Sequence, residues 1–124
     1  MSAESAELEC FVRGEVDAAR FPHREHVRMA FEMLRRHDFA EAAWLYSRAL
    51  RLMTAKAGKP QAFNQTTTIA FLALVAERLE RDFLAFERDN ADVFLKGALA
   101  RWYRPEQLRT EIARRTFVLP EPTP

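Results

Sequence analysis

Residues 22–37 read Pro-His-Arg-Glu-His-Val-Arg-Met-Ala-Phe-Glu-Met-Leu-Arg-Arg-His, and their polarity repeats with the period of an α-helix. Pro22 suits the first helical position, where its missing N–H costs nothing. At about 100° per residue, His23, Val27, Ala30, Phe31 and Leu34 share one face. His26, Met33 and His37 lie along its edge. Arg24, Glu25, Arg28, Glu32, Arg35 and Arg36 cover the other side. A stretch so divided must lay one face on a core, which predicts a helical fold built around it.

The helix carries all three histidines of the chain. His23 and His26 are three apart and are therefore neighbours at one end of the apolar face. His37 lies about 16 Å further along the axis. It reads as a cation at a helix C-terminus, where the dipole favours positive charge.

A second stretch, Phe63-Asn64-Gln65-Thr66-Thr67-Thr68, precedes an apolar run from Ile69 to Leu79. On a helix, Asn64, Thr68, Phe71, Leu72, Val75 and Leu79 form one stripe, with Ala73, Glu77 and Glu80 opposite. Asn64 and Thr68 head that stripe as the two histidines head theirs. Packed with those ends together, the helices would gather His23, His26, Asn64 and Thr68 into one polar site. Buried polar groups must satisfy one another or hold something that does.

The rest of the chain is read with the same signals. Residues 3–12 form a short helix capped by Ser2 or Ser5, and Gly14 ends it. Asp38 and Glu41 make a capping box for a helix to about Ala57, closed by Gly58 and Pro60. The short link predicts that this helix and the one before it are antiparallel. A third long helix runs from Pro60 or Asn64 to Phe86. A fourth spans 91–103 and stops before Pro105. Short turns follow at 105–108 and 110–115, then a docking segment at Phe117–Leu119. The expectation is an all-α fold: one domain over residues 1–124, an irregular bundle of about four main helices, with 119–124 as a tail.

Composition narrows the function classes. The chain of 124 residues is 48% hydrophobic and 30% charged, ordinary for a globular domain with a core. Its net charge is +1, with acids and bases interleaved, which argues against nucleic acid as a partner. The single Cys10 rules out an internal disulfide and a multi-cysteine zinc site. No apolar run reaches transmembrane length, and the acidic start is unlike a signal peptide. A cytoplasmic location is expected, and a homodimer is a fair expectation for a small bundle.

His23 and His26 can both ligate one transition-metal ion, but such a site needs a third protein ligand. The bland alternative makes both rings hydrogen-bonded structural residues. Acid–base chemistry would draw on the same rings with Tyr46, Tyr103, Arg28 and Thr68 as helpers, and no nucleophile motif accompanies them. Cys10 reads as a small buried hydrophobe. The Thr66–Thr68 run can meet an anion, or simply cap its helix with Asn64. Arg101, Trp102, Tyr103 and Arg104 offer a partner-binding edge, or a Trp-Tyr pair docking a helix.

Phe21-x-His23-x-x-His26-x-Arg28-x-Ala30-Phe31, followed by Asn64-x-Thr66-x-Thr68, resembles a group of small all-α bacterial proteins. These carry F-x-H-x-x-H-x-R-x-A-[WF] and, further along, Y-H-E-T-[LI]-T. The ending Ala113-Arg114-x-x-Phe117-Val118-x-Pro120-Glu121 is similar to their A-R-x-x-F-V-x-P-D. The resemblance spans nearly the whole chain and implies a shared motif without a known reaction or cofactor. Phe63, Asn64 and Gln65 stand where that pattern has Tyr, His and Glu, so a third histidine ligand is missing here. The departure favours a ligand-binding or structural protein over a metalloenzyme. The leading expectation is a protein that binds a small ligand, or a metal, in an internal pocket lined by His23, His26, Asn64 and Thr68. A structural or adaptor protein acting through its surface is the competing expectation, and a metal-dependent enzyme using His23 and His26 is the third.

Overall fold

A computed structural model describes residues 3–122, and side chains from residue 6. The fold is all-α, and no strand occurs among the described residues. Helix α1 spans Ala3–Val12, α2 His23–Arg36, α3 Phe39–Lys56, α4 Gln65–Ala76 and α5 Phe83–Asp89, followed by two short turns, α6 Pro105–Leu108 and α7 Glu111–Arg115. The expected caps at Ser2 and Ser5 fall outside the described residues and side chains. No helix of the described residues is long and apolar enough to cross a membrane.

Helix α2 is the hub. Pro22 is its N-cap with extended backbone (ψ 167°), so the helix begins at His23 rather than at the proline. Helices α1, α3, α4 and α5 all pack on it. Val27, Ala30, Phe31, Met33 and Met29 are almost wholly buried. Glu32, expected on the solvent side, is also buried. Its carboxylate accepts from Arg36 at 2.7 Å and lies 3.7 Å from Arg35, so the charge goes under cover with its partners.

Helix α3 follows the sequence closely. The Asp38 carboxylate accepts from the Glu41 amide at 2.8 Å. At the other end, Lys59 N–H bonds to Thr54 O (2.8 Å) and Gly58 N–H to Ala55 O (3.0 Å), a Schellman closure. His37 meets Glu41 across the turn, and His26 shares a cavity wall with Met53, so α2 and α3 run antiparallel.

Two of the expected helices fail. The helix from residue 64 to Phe86 breaks after Ala76. Asp82 caps a new helix by accepting from Ala85 N at 2.8 Å. The break turns Phe83 and Phe86 onto Phe31, with ring centroids 5.7 and 5.1 Å apart. Leu79, on the expected stripe, is left exposed. The expected helix over 91–103 reduces to a 3-10 turn at Ala91–Phe94 followed by turns. Asn90 does not cap it, because its side-chain amide donates back to Phe86 O (3.0 Å) and to Glu80 (3.1 Å). Val93 and Phe94 still join the core, while Leu95 is extended and exposed.

Candidate functional site

His26 sits in the first turn of α2 among aromatic rings. Phe21 meets it edge-on at 4.6 Å between centroids, and Phe21 itself stacks on Phe11 at 5.4 Å. Tyr46 of α3 donates its hydroxyl hydrogen to the His26 carbonyl at 2.9 Å. The His23 ring lies nearly parallel to that of His26, 6.5 Å away. Burial, and then the charge of His23, push the His26 imidazole down to about 4, against a smaller opposing effect of backbone hydrogen bonding with Phe21. At neutral pH the ring is uncharged, with one donor and one acceptor nitrogen.

A cavity of about 730 Å³ opens beside it. The loop 15–19 forms one wall, and Met53, Thr54 and Lys56 from the end of α3 form another, with Lys59 and Ala62 beyond. Several of its polar groups already have internal partners. Glu15 pairs with Arg13 (3.0 Å), Asp17 accepts from Ala19 N (3.0 Å), Lys56 donates to Gly14 O (3.0 Å) and Thr54 to Arg51 O (3.1 Å). His26, Lys59 and the second carboxylate oxygens of Glu15 and Asp17 are the wall groups that can meet a guest.

The other three residues expected at the site stand elsewhere. His23 is exposed and packs on Phe71 at 5.4 Å between centroids. Its Nε2 lies 3.1 Å from Val93 O, and since a carbonyl only accepts, that nitrogen carries the proton. Asn64 caps α4, its Oδ1 accepting from Thr67 N (2.9 Å) while its Nδ2 donates to Leu108 O (2.8 Å). Thr68 donates to Asn64 O at 2.7 Å. Neither belongs to the cavity wall.

The start of α4 works as a clamp on the C-terminal segment. Thr66, fully buried, donates to Thr116 O (2.7 Å) and accepts from Val118 N (3.0 Å). Thr66 and Thr68 thus spend their hydroxyl hydrogens on carbonyls rather than on an anion.

Among the described residues no three His, Cys, Asp or Glu side chains gather at a point that could hold a metal ion. The His23–His26 pair has no third ligand there. The expected helpers are committed too. Tyr46 is buried against a carbonyl, and Arg28 is paired with Glu25 (2.6 Å) and Glu7. The edge at 101–104 splits, because Tyr103 is buried and donates to Val118 O (2.8 Å) while Arg104 pairs with Glu121 (2.8 Å). Arg101 stacks on the half-exposed Trp102. Cys10 is a partly buried free thiol.

Sequence reading missed the loop 15–19 and the end of α3 as cavity walls. One signal was present: two of the three lysines in this arginine-rich chain, Lys56 and Lys59, flank the helix end that forms the wall. No family model, no curated protein and no solved structure matches the chain.

Proposed function

We propose that this protein binds a small polar molecule in the cavity beside His26. The observation that carries the reading is the conjunction of a neutral, partly buried imidazole with a cavity of about 730 Å³. Small-molecule sites occupy roughly 300–1,000 Å³ and combine apolar walls with a few placed polar groups. Here Val16 and Met53 give apolar wall, His26 gives a directional hydrogen bond, and Lys59 suits an anionic group on the guest. Of the residues first expected to bind, His26 is kept. His23 backs its ring, while Asn64 and Thr68 hold the scaffold. In this reading the protein works in the cytoplasm, where the free Cys10 stays reduced.

The test is a metabolite-sized compound screen by thermal shift, followed by NMR with labelled Met53 methyl and His26 ring. Binders should move both signals, and His26→Phe and Ala62→Trp should each abolish their stabilisation. Binders that leave Met53 and His26 unmoved, or that stabilise both variants as well as the parent, would sink the proposal.

A scaffold acting through its surface is the second reading. The closed hydrogen bonding of Asn64, Thr66 and Thr68 supports it, since those motif residues face other parts of this chain.

A further inference from the structure

Trp44, Arg48 and Arg51 lie at i, i+4 and i+7 of α3 and so share one face. That face looks outward, and Trp44 is 61% exposed. The Arg48 guanidinium carbon sits 5.3 Å from the Trp44 ring centroid, and that of Arg51 sits 5.0 Å from Phe63. Between α3 and α4 these side chains border a groove of about 420 Å³, completed by Ala43, Ser47 and Ile69.

The charge on this groove is one-sided. Its walls hold two guanidinium groups and no carboxylate. Helix α3 has one acidic residue, Glu41, in its first turn and bonded to His37. Helix α4 has no charged residue at all. Elsewhere most arginines are matched with acids, as in Arg24–Glu87, Arg36–Glu32 and Arg78–Asp92, while Arg101 stacks on Trp102 and Arg114 donates to Gln61 O. Arg51 is instead held by a neutral chain: it donates to Gln65 Oε1 (2.8 Å), and Gln65 Nε2 donates to Ser47 Oγ (3.0 Å). That arrangement fixes the guanidinium without cancelling its charge.

We propose that this groove docks an acidic peptide segment of another protein, with carboxylates on Arg48 and Arg51 and one apolar side chain between Trp44 and Ile69. Arginine forks match carboxylates in two-point contact, and Trp and Arg dominate the energetics of protein interfaces. Two cations are too few to track a nucleic-acid backbone, whose binding draws on many phosphate contacts. The site shares no residue with the His26 cavity, so either can fail without the other.

The experiment is selection of ligands for the full chain from a displayed library of random peptides, with oligothymidine as a nucleic-acid probe. Selected peptides should be enriched in Asp or Glu beside Leu, Ile or an aromatic residue. Their affinity should fall at least about tenfold for R48E and for W44A, and severalfold for Q65E, which would neutralise Arg51 from within. Far-UV circular dichroism of the three variants establishes that they fold, and loss of binding by two folded variants suffices. The proposal is overturned by peptides without acidic enrichment, by no selected peptides, by binding that survives R48E and W44A, or by tighter binding of oligothymidine than of any peptide.

Discussion

The hydroxyl of Tyr46 donates to the main-chain carbonyl of His26 across 2.9 Å, joining α3 to the first turn of α2. The ring is buried, with 2% of its surface exposed. Burial pushes its phenol well above the ordinary tyrosine range, so no phenolate forms in the folded protein at ordinary pH. The His26 carbonyl also accepts along the helix, so Tyr46→Phe removes a bond without orphaning its partner. The expected loss is about 1 kcal/mol in urea unfolding, with an unchanged m-value. An m-value that rises or falls with the substitution would show a changed compactness instead.

Protonation of His26 makes stability depend on pH. Its pKa lies at about 4 in the folded protein against the ordinary 6.5, so between those values the unfolded chain binds the extra proton. This group leaves stability unchanged above about pH 6.5, lowers it through the window, and levels off below about pH 4. The loss amounts to at most about 3 kcal/mol. Glu25 and Glu87, held low by Arg28 and Arg24, add a further loss at the acid end. His26→Gln should remove the slope between pH 6.5 and 5 in urea titrations and leave the acid-end loss. A variant with the parental slope would assign the effect to another group.

Thr66 pins the C-terminal segment through both of its hydrogen bonds. Thr66→Val keeps the shape and loses the bonds to Thr116 and Val118. Thr116 is exposed and Val118 half-buried, so the expected cost is about 1–3 kcal/mol, the range for leaving such partners unpaired. The local effect is sharper. Amide exchange at Val118 should speed up far more than at Leu72 in the same helix as Thr66, and equal acceleration at both would mean global rather than local loosening.

Gly14 and Gly58 separate strain from collision. Both have positive φ, +71° and +75°. A Cβ at Gly58 meets nothing within 4 Å, whereas one at Gly14 stands 2.6 Å from Leu52 Cβ. Gly58→Ala should cost about 1 kcal/mol, the left-handed strain alone. Gly14→Ala should cost at least about 2–3 kcal/mol, because backbone or Leu52 must also shift. Leu52→Ala should give little rescue, since it keeps the Cβ that collides. Equal losses at the two glycines would remove the collision from the account.

Local signals were legible where they act within a few residues. The polarity split of 22–37 located α2, and Asp38, Glu41 and Gly58 located both ends of α3. The signals misled where packing competes with helical continuity. From Ala76 onward the apolar residues can continue a helix on paper, and 91–103 have enough of them for another. Burying Phe83, Phe86 and Phe94 on Phe31 requires the chain to turn, and Asp82 supplies the cap that lets it.

The sequence by itself determined that the chain is helical, that α2 is its amphipathic centre, and that His23 and His26 share an end of it. Those facts follow from periodicity and capping, which depend on near neighbours. Only the tertiary structure decided what each polar group faces. It set His23 on Val93, His26 on a cavity, Asn64 on Leu108 and Thr66 on Thr116 and Val118. Heading an apolar stripe places a side chain at a helix end. Which partner meets it there depends on how loops far away in sequence close over that end, and the helical period carries no record of that.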